Sequence, residues 1–228
     1  MPKLILFQGD SITDCGRNRE DNTSMGVGYV HMVKGQLGYE HPGKYEFINR
    51  GNGGNQIVDV YARIKKDIIN LKPDYMSLLI GVNSVGQELG GRRSGLSAEK
   101  FEKIYDMLIG EILEALPNIK IMILEPFVLE ATATTATEAE PERWNYFRTE
   151  VPLRAAAARR IAEKYGLPFV ELQSKFDSAC KQAPASYWLG DGVHPTAMGH
   201  WIIKNEWMKA FEEMLGSLSE RNGSDDFS

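Results

Sequence analysis

A serine, a histidine and an acid can together open an ester bond, and this 228-residue chain places candidates for all three in short, glycine-flanked stretches. Ser11 stands in Gly9-Asp10-Ser11-Ile12-Thr13-Asp14, a stretch that begins one residue (Gln8) after the apolar run Leu4-Ile5-Leu6-Phe7. A serine on the turn leaving a buried strand presents its hydroxyl to a cleft, and Gly9 permits the sharp backbone path. The plainer reading is that Asp10 or Ser11 only caps a turn or a helix. Near the C-terminus, Asp191 and His194 lie three apart in Trp188-Leu189-Gly190-Asp191-Gly192-Val193-His194-Pro195. One turn of chain lets the carboxylate accept from the imidazole Nδ1–H, which fixes the tautomer and frees Nε2 to act as a base. An Asp three residues before a His also arises often by chance.

Two further stretches offer donors for the negative charge that such chemistry develops. In Asn49-Arg50-Gly51-Asn52-Gly53-Gly54-Asn55 the glycines let backbone N–H groups approach a ligand, and Gly54 is the candidate donor. The spacing is neither the dinucleotide G-x-G-x-x-G nor the P-loop, so a plain glycine turn fits the stretch equally well. In Gly81-Val82-Asn83-Ser84, Asn83 can donate its side-chain amide to a developing oxyanion, or it can close a turn on its own backbone. Together the stretches supply different parts of one site: Ser11 as nucleophile, Gly54 and Asn83 as oxyanion donors, His194 as base and Asp191 as its orienter. Asp10 and Trp188 stand beside them as candidate substrate contacts. Trp188 can line an acyl pocket or stack on a sugar, and core packing is the competing role. The other histidines fit elsewhere: His31 packs on a helical stretch, His41 lies in the turn His41-Pro42-Gly43, and His200 is structural on the last helix. Cys15 has no base of its own, and Cys180 reads as a small buried apolar residue.

These stretches fall where a particular architecture would gather them. Apolar runs at 3–7, 45–49, 75–80, 119–124 and 168–172 read as strands. Amphipathic segments separate them: 29–37, a helix whose apolar residues run from Ile57 to Leu71, a helix from Phe101 to Leu116 ended by Pro117, 153–165, and 198–215. Five strands alternating with helices predict a three-layer αβα sandwich around a parallel, doubly wound sheet. Such sheets form their sites in loops at the C-terminal strand ends, which is where each stretch lies. Residues 1–216 form a single domain in this reading, with 217–228 as a polar flexible tail. The glycine-rich loop 82–96 is mobile or tightly turned. The stretch 130–142, polar and low in complexity, is an exposed excursion that can serve as a lid.

Composition narrows the class. The chain has 26 Lys+Arg against 31 Asp+Glu and a net charge of −5, with no basic run, so nucleic acid is a poor partner. Two cysteines in a chain this long do not form a disulfide framework, and no CxxC or Cys/His cluster points to zinc. No metal and no cofactor is expected. The N-terminal apolar run is short and lacks a cleavage pattern, and no apolar stretch reaches 18 residues, so the expected location is cytoplasmic with no membrane partner. The expected ligand is a small-molecule ester. Assembly into a homo-oligomer is left open.

The four stretches, in this order, resemble the SGNH (GDSL-type) hydrolase superfamily. The resemblance covers most of the chain and implies a flavodoxin-like fold. It places the catalytic serine at Ser11, the oxyanion glycine at Gly54, the oxyanion asparagine at Asn83 and the Asp-x-x-His pair at Asp191 and His194. No G-x-S-x-G occurs, so the nucleophile-elbow type of α/β-hydrolase is not indicated. One departure is Ser84, which stands where the family usually has Asp and bears on how firmly the Asn83 loop is held. The run from Leu6 to Arg17, with Trp188 ahead of the Asp-x-x-His, looks like bacterial acetylxylan and acetyl-xylooligosaccharide esterases. This implies an acetyl ester on a carbohydrate. A lysophospholipase, a thioesterase or another O-acetylesterase fits the same scaffold. A non-catalytic flavodoxin-like binding protein is the alternative outside enzymes.

Overall fold

The computed structural model describes residues 1–224. Its five strands are β1 (Lys3–Gly9), β2 (Tyr45–Asn49), β3 (Tyr75–Leu79), β4 (Lys120–Leu124) and β5 (Phe169–Val170). They form one sheet in the order β2-β1-β3-β4-β5, with every neighbouring pair parallel. Helices cover both faces, as the alternating pattern predicts.

The strands read as unbroken apolar runs because successive side chains enter different cores. On β1, Ile5 and Phe7 join a cluster with Val30, Val33, Trp207 and Phe211, whereas Leu6 joins a second cluster with Ile57, Val60, Phe101 and Tyr105. On β4, Met122 and Leu124 face the first cluster, and Ile121 and Ile123 the second. Each fully buried side chain of this size stabilises the fold by about 1.5–3 kcal/mol before conformational entropy is counted.

The helices are α1 (Ser11–Asp14), α2 (Tyr29–Glu40), α3 (Ile57–Ala62), α4 (Ile64–Asp67), α5 (Val82–Gly86), α6 (Ala98–Ala115), α7 (Arg143–Tyr165), α8 (Gln173–Ala179), α9 (Ala185–Trp188) and α10 (Ala197–Ser224). The helix expected over 57–71 is three pieces, α3, α4 and a 3-10 turn at Ile69–Leu71. Arg63 leaves helical geometry at φ −107°, ψ 9°, and its side chain bonds Asp59 O, Asp67 and Asn55 instead. The apolar period survives the breaks, because Ile57, Val60, Ile64 and Ile68 are all buried. Helix α7 begins ten residues ahead of the expected 153 and carries Pro152 internally. Phe147, Val151, Arg154 and Ala158 are buried at helical spacing, so tertiary packing carries the helix past the proline. The main chain of 217–224 continues α10. The rest of the expected tail, 225–228, lies outside the described residues.

The sheet order explains where the site falls. The chain leaves β1 for β2 on one side, then returns to β3 on the other, so the connections after β1 and β3 diverge. A crevice opens at that reversal, outside the C-terminal strand ends. Gly9, the last residue of β1, is paired with Leu79, the last of β3, while Asn49 ends β2 beside Phe7.

Candidate active site

Strand β1 can turn sharply into α1 because residue 9 is glycine. At φ +159° its absent Cβ would lie 2.4 Å from Leu79 O and 2.5 Å from Thr13 Oγ1. Asp10 then caps α1, its Oδ1 accepting from Ile12 N at 3.0 Å, and Ser11 becomes the first helical residue. Burial pushes the Asp10 carboxyl up to about 7, against the opposing pull of the Ile12 N–H and of His194. With 1% exposure, Asp10 lies beneath the surface as a buried cap.

The Ser11 hydroxyl meets the far end of the chain. Its Oγ lies 2.9 Å from His194 Nε2, and His194 Nδ1 lies 2.7 Å from Asp191 Oδ2. The other carboxylate oxygen, Oδ1, accepts from the N–H groups of Val193 (2.9 Å) and His194 (2.8 Å). Partial burial raises the Asp191 carboxyl, but these N–H groups and the imidazole outweigh it, so the group sits below the usual carboxylate range. An ionised Asp191 accepts only, so Nδ1 carries the ring proton and Nε2 can accept from the serine hydroxyl.

Two backbone bonds hold this acid loop from outside. Leu129 N donates to Gly192 O at 2.9 Å, and Ala133 N donates to Asp191 O at 2.8 Å. Gly192 has φ +99°, and a Cβ there would meet Leu129 O and Thr134 Oγ1 at 2.5 Å. The stretch expected as an exposed excursion is therefore anchored at its start. Thr134 is buried and its hydroxyl donates to Leu129 O at 2.6 Å. Sequence reading missed Thr134 because one buried threonine does not stand out in a run of Thr, Ala and Glu.

The glycine stretch folds over α1. Buried Asn49 donates to Thr13 O (2.7 Å) and Met25 O (2.9 Å) and accepts from Gly51 N (2.8 Å). Asn52 N reaches Gly9 O at 3.0 Å, and Gly53 N reaches Asp14 Oδ2 at 3.0 Å. A Cβ on Gly53 would stand 3.9 Å from Ser11 Cβ, which places this loop beside the hydroxyl. Gly54 is exposed at φ +80°. From β3, Asn83 leans onto the same loop, its Nδ2 donating to Asn55 O at 3.0 Å. Ser11 thus stands between the Asp191–His194 pair and the glycine loop, to which Asn83 is bonded. Ser84 is buried, and its Oγ has no hydrogen-bond partner.

The remaining expectations divide. Trp188 is half-buried against the first core cluster, its Nε1 donating to Ala183 O at 3.3 Å. His31 is exposed rather than packed, because α2 turns that face to solvent, and His41 is exposed at the end of α2. His200 is buried, its Nδ1 accepting from Tyr29 N at 3.1 Å and its Nε2 3.3 Å from Cys15 Sγ. Burial, with the nearby His194, pushes His200 down to about 4, and burial pushes the Cys15 thiol up. Cys180 is half-buried. Among the described residues no group of His, Cys, Asp or Glu is placed to hold a metal ion, and no helix is long and apolar enough to cross a membrane.

Residues 7–202 match the GDSL-like lipase/acylhydrolase family, and the chain belongs to that family. It is 30% identical over 214 residues to an acetylxylan esterase of Geobacillus stearothermophilus, spanning 90% of this chain and 92% of that one. The crystal structure of that organism's acetylxylan esterase Axe2 superposes with a TM-score of 0.78 at 30% identity, covering 91% of this chain and 93% of the other. LAE5, an α/β hydrolase from the metagenome of Lake Arreo, superposes at 0.80 with 28% identity, covering 91% and 94%. Axe2 structures described as catalytic mutants change one serine, one aspartate and one histidine. The chain is accordingly a carboxylic ester hydrolase with the α/β fold of its relatives.

Proposed function

We propose that this ester hydrolase removes acetyl groups from carbohydrates with a Ser11–His194–Asp191 triad. The observation that carries the reading is the unbroken series from Asp191 Oδ2 to His194 Nδ1 at 2.7 Å and from His194 Nε2 to Ser11 Oγ at 2.9 Å. As Ser11 Oγ attacks the ester carbonyl, its proton passes to His194 Nε2, and Asp191 stabilises the imidazolium. The tetrahedral oxyanion is met by the N–H groups of Ser11 and Gly54 and by the Asn83 amide. The C–O bond to the sugar then breaks, the alcohol oxygen takes the proton from Nε2, and an acetyl-serine remains. Water repeats the sequence, giving its proton to Nε2, and acetate leaves as Ser11 Oγ is reprotonated.

The substrate class is supported by the relatives named as acetylxylan and acetyl-xylooligosaccharide esterases. It is also supported by exposure: the His194 side chain is 54% accessible, which suits an ester displayed on a sugar better than a long acyl chain needing burial. The test is acetate release from acetylated xylo-oligosaccharides, set beside hydrolysis of p-nitrophenyl acetate and octanoate. The expected result is release of acetate and preference for the acetyl ester, with Ser11 labelled by a fluorophosphonate. Preference for octanoate removes the carbohydrate reading, and labelling elsewhere than Ser11 removes the triad.

A further inference from the structure

We propose that Gln87 is a positioning residue that sets the oxyanion peptide of Gly54; this rests on the function proposed above. A Cβ placed on Gly54 would meet nothing within 4 Å, so side-chain packing does not hold this glycine in its φ +80° conformation. Glycine populates positive and negative φ about equally, and ordering one residue costs roughly 1–2 kcal/mol, so something else must select the conformation.

The selection comes from hydrogen bonds on both flanks of the peptide that bears the Gly54 N–H. On the near side, Gly53 N is held by Asp14 Oδ2 at 3.0 Å. On the far side, Gln87 Nε2 donates to Gly54 O. The next carbonyl, Asn55 O, is taken by Asn83 Nδ2 at 3.0 Å. Asn83 and Gln87 are one helical turn apart at α5, joined by Gln87 N donating to Asn83 O at 3.0 Å. One short helix therefore supplies an oxyanion donor and, through Gln87, the strut that aims the other.

The orientation of the Gln87 amide is set as well. Its Oε1 accepts from Gln56 Nε2 at 2.9 Å, which leaves Nε2 to face Gly54. Gln56 is buried at 5% exposure, and its Nε2 also donates to Ser94 O at 2.7 Å, so the far end of the relay is fixed. No motif of the sequence marks Gln56 or Gln87, because their pairing arises only when the loops after β2 and β3 meet.

The experiment compares Gln87→Met, which keeps the length and removes the donor, with Gln87→Glu, which sets a carboxylate against the Gly54 carbonyl. Loss of a whole oxyanion donor costs 10²–10³ in kcat, so a misaimed one is expected to cost about 10-fold in Gln87→Met and more in Gln87→Glu. KM for p-nitrophenyl acetate stays within about 2-fold, because the ground-state carbonyl gains little from the oxyanion donors. The rate of fluorophosphonate labelling at Ser11 falls by a factor similar to kcat, since phosphonylation builds the same oxyanion. The midpoint of the acidic limb of kcat/KM stays where it is in wild type, because His194 and Asp191 are untouched. Thermal melting of both variants serves as the folding control. Full kcat in Gln87→Met overturns the proposal, as does a displaced acidic limb, which would put the effect on His194. Wild-type enzyme whose Ser11 resists labelling overturns the triad reading and this inference with it. Wild type labelled normally, beside Gln87→Met at full kcat, overturns this inference alone.

Discussion

The N–H of Ala133 donates to the main-chain carbonyl of Asp191 at 2.8 Å, so the acid that orients His194 is held by a segment far from it in sequence. That segment is itself braced. Arg143 Nε donates to Ala133 O at 2.6 Å, Arg143 pairs with Glu140, and Glu140 Oε1 accepts from Gly90 N in the loop that follows Asn83. The acid loop and the loop after Asn83 thus share one run of contacts through 130–143.

Thr134 is the keystone of this clasp and gives the first prediction. Its buried hydroxyl donates to Leu129 O and accepts from Ala131 N at 2.9 Å. Thr134→Val leaves both backbone groups unpaired, which costs about 1–3 kcal/mol in urea unfolding. Because the Asp191 main chain loosens, kcat falls with little change in KM, and Thr134→Ser restores both. A Thr134→Val enzyme of wild-type stability would show that the clasp is idle.

Under the proposed function Asn83 carries two duties, which makes its removal costly. Asn83→Ala deletes the amide proposed to meet the oxyanion and frees Asn55 O, which the amide holds. The expected loss is on the order of 10²–10³ in kcat, or about 3–4 kcal/mol of transition-state stabilisation. Steady-state kinetics with p-nitrophenyl acetate checks it, and a loss under 5-fold would count against the oxyanion role.

The strand-end residues were legible because glycine, acid and amide types cluster there for stereochemical reasons. Gly9 and Gly192 sit where a Cβ would strike backbone 2.4–2.5 Å away, and such glycines are visible in sequence. The sheet was legible because its strands are buried on both faces. What stayed hidden depends on long-range pairing. Thr134 and Gln87 matter through bonds to Leu129 and Gly54 that follow from loop packing, not from local pattern. Trp188 and Asp10 stand close to a motif for reasons of their own. Asp10 is buried and caps α1, and Trp188 is half-buried against the first core cluster.

Ser84 tests whether the departure from the family's usual Asp weakens the site. Its hydroxyl is fully buried without a partner, whereas its backbone is well held: N donates to Gly81 O and O accepts from Leu96 N, both at 3.1 Å. The Asn83 loop is therefore fixed by main-chain bonds and by Asn83 itself. Ser84→Ala removes an unpaired buried hydroxyl, so stability should stay level or rise by up to about 1 kcal/mol, with kcat within 2-fold. A large fall in kcat would show that the hydroxyl is used.

Two buried groups near the site oppose each other in pH dependence. Asp10 is raised from 3.8 to about 7, so between those values the folded protein binds the extra proton and stability falls as pH rises. His200 is lowered from 6.5 to about 4, so in that window the unfolded chain binds the extra proton and stability rises with pH. Each effect is of the order of 3 kcal/mol, and over pH 4 to 6.5 they nearly cancel. Asp10→Asn keeps a capping oxygen and removes one titration. Its stability relative to wild type should therefore climb by about 3 kcal/mol as pH is raised from 4 to 7. His200→Asn keeps an acceptor for Tyr29 N and removes the other titration, so its stability relative to wild type should decline from pH 4 to 6.5. Urea unfolding at several pH values measures both slopes. Parallel curves for Asp10→Asn and wild type would mean that Asp10 is not protonated in the folded protein.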